Sequence, residues 1–313
     1  MIRVLPAWLT LLAGFAVAAE WPVGLDAHYD GRQDGYALVE QYERLAARGW
    51  IVDVIARSRP TGTNVDLPIL ALRSPSPGPA TWIFAGIHGE EPAGPNAIAR
   101  VVDSLARLGE KRPVVLIPLA NPHGYMRNWR YLNLPEWSPD VEAQSVGDSS
   151  HVLPGDQGDS ARAAAASSEE ADALVRYVLK MVKRYPPVIS LDLHEDNLID
   201  EGYVYSQGTL GVEDPLAVIA VETLVDHGIP LKMSGETRFE EPITNGLIGP
   251  VADSSIDELM SAHYVVVDGV RQPGPAASTV LVFETPAAAV SMDVRVDAHA
   301  ALLESLIERL IEE

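Results

Sequence analysis

The chain has no cysteine. Disulfide bonds, thiolate metal ligands and a cysteine nucleophile are excluded, so any metal must be held by histidine and carboxylate, and stability must come from packing. Basic residues are also scarce: 23 Lys and Arg stand against 44 Asp and Glu, a formal net charge of −21. The sequence has no basic surface of the kind a phosphate backbone requires, which argues against nucleic acid as a partner and against adsorption to anionic lipid. Long apolar runs are missing beyond the N-terminus. The one exception, residues 4–17, follows Met1-Ile2-Arg3 and closes on the small residues Ala16-Val17-Ala18-Ala19. It falls short of the roughly 20 apolar residues that span a bilayer. Residues 1–18 therefore read as a secretory signal peptide, and residues 20–313 as the mature domain. The expectation is an exported protein, periplasmic or extracellular, with no stable membrane insertion after cleavage. The oligomeric state is left open.

Short β-branched runs at residues 51–56, 69–72, 82–87, 114–119, 188–193, 265–268 and 280–284 read as strands covered on both faces. Helical patterns cover residues 36–48, 94–108, 160–185, 215–227 and 296–312. Strand and helix alternate, with no repeat, low-complexity tract or linker. That pattern predicts a single α/β domain whose mixed, mostly parallel twisted sheet carries helices on both faces. Residues 120–159, rich in Asn, Pro, Gly, Ser and Asp, break the rhythm, and a loop of that length is usually functional or disordered.

Chemistry gathers at strand ends. His88 and Glu91 lie three residues apart after the apolar run Ile83-Phe84-Ala85. Pro92 biases Glu91 away from helical geometry and can open a helix, so Glu91 belongs in a strand-to-helix turn, where α/β sheets bind ligands. His194 ends the strand at 188–193, with Asp192 on the same strand face. Two imidazoles and one carboxylate would hold one Zn2+ ion with a position open for water, whose pKa falls to about 7 in such sites. Glu284 closes an apolar strand just before Thr285-Pro286, where a carboxylate is costly unless solvated or paired. It is the natural general base. Arg127 and Arg130 in the long loop offer guanidinium groups to an oxyanion. Taken alone, each of these residues also reads as surface or ion-paired.

As an ordered set they resemble the carboxypeptidase A-like zinc metallocarboxypeptidases, a family that includes deacylase and amidase members. The likeness rests on H-x-x-E at His88 and Glu91, Asn-Pro-x-Gly at Asn121 to Gly124, the R-x-W-R-like stretch Arg127 to Arg130, D-x-H at Asp192 to His194, and Phe283-Glu284. It implies an eight-stranded mixed sheet, zinc on His88, Glu91 and His194, Glu284 as base and Arg130 as the group that polarises the carbonyl. Members that remove a C-terminal residue carry D-x-N-R after the Asn-Pro-x-Gly turn. The counterpart here is Asp148-Ser149-Ser150-His151. The resemblance leaves Asp148 to orient the His88 ring, while Ser150 and His151 stand where Asn and Arg grip the substrate carboxylate; neutral imidazole is a far weaker anchor. The family's mobile tyrosine falls on Gly249, upstream of Ser255-Ile256-Asp257.

The resulting expectation is an exported zinc-dependent hydrolase of amide bonds, acting as a metallocarboxypeptidase on peptides. A deacylase of N-acyl amino acids, a cell-wall peptide amidase, and a non-catalytic periplasmic binding protein stand as alternatives.

Overall fold

A computed structural model describes residues 30–58, 66–130, 132, 148–155 and 158–312. The signal-peptide reading of residues 1–18 lies outside them. Among the described residues no helix is long and apolar enough to cross a membrane.

The framework is one ten-stranded mixed sheet. In chain order its strands are β1 (Ile51–Ser58), β2 (Leu67–Arg73), β3 (Ala80–Ala85), β4 (Val114–Ile117), β5 (Pro187–Asp196), β6 (Tyr203–Ser206), β7 (Ser234–Glu236), β8 (Pro242–Thr244), β9 (Leu247–Ile248) and β12 (Thr279–Pro286). β10 (Tyr264–Val267) and β11 (Val270–Pro273) form a separate hairpin. The spatial order is β1-β2-β4-β3-β5-β12-β6-β9-β8-β7. The central strands β4, β3, β5 and β12 run parallel, and antiparallel strands flank them. The two strands beyond the expected eight come from β7 to β9, which are two or three residues long and too brief to leave a period in sequence.

Alternation along the central strands divides the core. Ile83, Leu191, Leu193, Leu281 and Phe283 pack on one face with α1 (Gly35–Glu43), α2 (Ala93–Arg100), α3 (Val102–Lys111), α6 (Pro215–Asp226) and α8 (Met292–Glu312). Trp82, Phe84, Val115, Ile117 and Val280 face the other way, toward α5 (Glu169–Met181), α7 (Ile256–Ser261) and the β10–β11 hairpin. By the same alternation Asp192, His194 and Asp196 belong to the second face of β5. In register with them, Val282 and Glu284 belong to that face of β12.

Three helices differ from the sequence pattern, and the first, expected over 36–48, ends at Glu43 with a 3-10 turn over Ala46–Arg48. The run at 94–108 is broken at Val101, which leaves helical geometry and shares its N–H between the carbonyls of Ala97 and Ile98. The helix expected from residue 160 starts at Glu169, where Ser168 caps it by accepting from the Ala171 N–H. The alanines upstream are instead held in turns by tertiary bonds such as Ala163 N–H to Ser150 C=O at 2.9 Å. The long loop contains α4 (Pro122–Arg127), nucleated when the Asn121 side chain accepts from the Gly124 N–H at 2.8 Å.

Candidate metal centre

β3 ends at Ala85, and Gly86 turns the chain with φ +63°, a conformation that favours glycine. The turn then lies flat against α4. A Cβ added at Gly89 would come within 1.9 Å of the Gly124 carbonyl carbon, and the Gly89 N–H donates to the Trp129 C=O at 3.1 Å. This close approach holds His88 and Glu91 at the edge of the sheet. Pro92 then caps α2, whose first N–H groups have no local side-chain partner. A distant residue supplies one: Glu195 Oε2 accepts from the Ala93 N–H at 2.7 Å. That buried carboxylate is paired in turn with Arg295 of α8, itself buried. The Glu195 backbone N–H donates to Glu91 Oε2 at 3.1 Å, so one residue ties the start of α2 to the end of β5.

The three expected ligands converge. His88 Nδ1 lies 2.7 Å from Glu91 Oε1, His194 Nδ1 lies 2.9 Å from Glu91 Oε2, and the two Nδ1 atoms are 3.2 Å apart. Tetrahedral bonds of about 2.0–2.1 Å to zinc would put neighbouring ligand atoms about 3.3 Å apart. The set His88, Glu91 and His194 therefore fits one small divalent cation. The electrostatics agree. Burial pulls the His88 pKa down to about 4, the neutral form a ligand needs. Burial works to raise Glu91, yet the neighbouring His88 and His194 hold it well below the usual carboxylate range. Burial also opposes charge on His194, but Asp192 and Glu91 on either side raise it well above its ordinary value. That flanking favours a positive charge at this point, whether a proton or a metal ion.

Around this set, His194 Nε2 faces Asp192 Oδ2 at 3.1 Å, leaving Nδ1 toward the cage. Glu284 stands opposite His194 in the parallel β5–β12 register. Its Oε2 is buried and finds no hydrogen-bond partner among the described residues, and burial pushes its pKa up to about 8. Arg130 Nη1 donates to Glu91 Oε1 at 2.9 Å and to Glu90 Oε1 at 3.2 Å.

Of the other expected residues, Asp148 stays near the centre while Arg127 and His151 engage other partners. Asp148 is buried with its pKa pushed up to about 7 by desolvation, and the nearby charges of Arg130, His194, Asp192 and Asp253 act on it. Arg127 is exposed and stacks over Trp129 at 5.6 Å. His151 Nε2 lies 3.4 Å from Asp172 of α5 and lines a cavity of about 610 Å³ with Ala163 to Ala166, apart from the His88–Glu91–His194 cage. The Ser150 carbonyl is spent on the Ala163 N–H. The loop is thus tied to Ala163, and His151 faces Asp172 of α5. An extra methyl at Gly249 would meet nothing within 4 Å among the described residues.

The structure adds residues that sequence reasoning left without a role. Asp257 lies within 4.8 Å of Asp192 and His194 through its carboxylate, on the first turn of α7. Glu195 and Arg295 anchor the site from the opposite face. Arg238 Nη1 meets Asp196 at 3.1 Å at the rim. Ser255-Ile256-Asp257 did signal the first of these; Arg238 had no signal.

The fold and the site define an α/β protein with a candidate His–Glu–His metal centre at the ends of its central strands. Residues 77–198, which include all three ligands, match the sequence model of the succinylglutamate desuccinylase/aspartoacylase catalytic domain. A candidate metallopeptidase from Shewanella baltica OS155 shares the fold with a TM-score of 0.67 at 24% identity, over 88% of this chain and 91% of that one. A metallo-carboxypeptidase from Burkholderia cenocepacia gives 0.54 at 14% identity over 87% of this chain and 67% of that one. Carboxypeptidase A from Helicoverpa armigera gives 0.56 at 14% identity over 91% and 74%. No curated protein sequence matches the chain. The chain thus shares the fold of these metallopeptidases and carboxypeptidases, and its His88, Glu91 and His194 lie within the segment that matches the desuccinylase/aspartoacylase model.

Proposed function

We propose that the chain is an exported zinc-dependent amide hydrolase that removes residues from peptides bearing a free C-terminus. The observation that carries this reading is the meeting of three ligand atoms beside Glu284, whose Oε2 is buried and has no hydrogen-bond partner among the described residues. Zinc held by His88, Glu91 and His194 would supply Lewis acidity, lowering the pKa of a coordinated water to about 7 and polarising a carbonyl. Glu284, in register with His194, takes the proton of the attacking water on Oε2 and returns it to the departing nitrogen. Arg130 keeps donors beyond the one engaged by Glu90 and Glu91, and these meet the carbonyl oxygen as negative charge develops on it. Asp192 fixes the ring of His194 through Nε2. Export rests on the leader-like pattern of residues 1–18.

A second reading, a deacylase of N-acyl amino acids, is favoured by the family match over residues 77–198 and by the absence of a guanidinium at positions 150 and 151. The two separate in one assay. Zinc-loaded protein is offered matched peptides with free and amidated C-termini, together with N-acyl amino acids. Faster cleavage of the free peptides supports the carboxypeptidase, preference for N-acyl amino acids supports the deacylase, and zinc binding without hydrolysis of any of them rejects both.

A further inference from the structure

The row of groups on one face of β5 continues outward beyond the ligand. At about 3.3 Å per residue, Asp196 stands roughly 6.6 Å beyond His194 on the same side. Its carboxylate is buried, and both of its oxygens meet Arg238 Nη1, at 3.2 and 3.1 Å. Arg238 lies on the turn between β7 and β8. Glu241 stiffens that turn by accepting from the hydroxyls of Thr237 at 2.7 Å and Tyr205 at 2.9 Å. Tyr203, paired with Glu284 across β6 and β12, feels the charges of both Glu284 and Arg238. The base and this guanidinium thus share one buried aromatic neighbour.

The chemistry around the centre leaves this group a distinct role. Glu90, Glu91, Asp192, Asp196 and Glu284 crowd the centre with carboxyl groups, so a substrate carboxylate needs a local cation to bind beside them. His151 is turned to Asp172, and Arg130 is held against Glu90 and Glu91 beside the ligands. Arg238 is 38% exposed, and its contact with Asp196 uses Nη1 alone, so the Nε and Nη2 donors are not spent on it. A guanidinium offers the planar pair of donors that matches a carboxylate. The ring of Phe239, 62% exposed, lies 4.8 Å from the guanidinium carbon and gives the same spot an apolar wall.

Resting on the hydrolase reading above, we propose that Arg238 anchors a substrate carboxylate at the rim of the cleft and makes the protein selective for anionic amides. That carboxylate comes either from the C-terminus of the departing residue or from a dicarboxylic acyl group. Binding can be read without turnover, by calorimetry on zinc-loaded Glu284→Gln protein. One probe pair is N-acetylphenylalanine and its amide; the other is N-succinyl- and N-butanoylphenylalaninamide. The anionic member of one pair should bind about tenfold tighter or better. The pair that responds identifies the source. Adding Arg238→Met should collapse the preference to less than about threefold, Arg238→Lys should restore part of it, and zinc affinity should stay constant throughout. A preference that survives Arg238→Met overturns the assignment, as does equal binding within both pairs. Failure of the unsubstituted protein to hydrolyse any amide would instead reject the function, leaving the binding result to stand by itself.

Discussion

Replacing Glu284 with glutamine separates the base from the cage. In the metal-free protein, burial raises the Glu284 pKa from 4.5 to about 8. Between those values the native state keeps a proton that the unfolded chain has lost, so stability falls as pH rises through this window. At about 1.4 kcal/mol per pH unit the ceiling on that loss is about 5 kcal/mol. The side chain is partly open to solvent, which reduces the working figure to roughly 2–3 kcal/mol. Glutamine keeps the shape and has no proton to lose. Urea unfolding in the presence of chelator should therefore give similar stabilities for the two proteins at pH 4.5, with Glu284→Gln ahead by roughly 2–3 kcal/mol at pH 9. Asp148, also pushed up to about 7, contributes a slope common to both proteins, which the comparison cancels. With zinc restored, the variant should keep metal affinity and lose turnover. Parallel pH curves for the two proteins would refute the burial argument, and a fully active Glu284→Gln protein would refute the assignment of the base.

Other outcomes follow from the same geometry. Zinc at about a thousand times its Kd should stabilise the protein by about 4 kcal/mol, a Tm increase on the order of 10 °C that chelation reverses; a Tm indifferent to zinc would mean the three ligand atoms do not act together. Asp192→Asn should weaken zinc binding about 10–100-fold with the fold intact, measured by competition with a fluorescent chelator. Arg295→Leu strands the buried Glu195 charge and should cost about 3–5 kcal/mol in urea unfolding. Adding Glu195→Gln, which keeps an acceptor for the Ala93 N–H, should recover most of that loss.

The sequence by itself determined the class of fold and the chemistry at the strand ends. Central strands buried on both faces carry continuous apolar runs, so β3, β5 and β12 were legible, and the residues that break those runs, His194 and Glu284, stood out because a charge there needs a reason. Pro92 marked the turn that holds Glu91, since the backbone restriction is local. Tertiary structure decided what depends on long-range contact. The alanines at 163–166 have high helix propensity, yet the bond to Ser150 holds them in turns, because propensity differences of less than about 1 kcal/mol yield to packing. His151 follows that loop onto α5. Glu195, adjacent to a ligand in sequence, faces the opposite side of the sheet and meets Arg295 a hundred residues away, a partnership that alternation permits and only the docking of α8 creates. Arg238 reaches the rim through strands of two or three residues, whose pairing is fixed by their neighbours and leaves no trace in the local pattern.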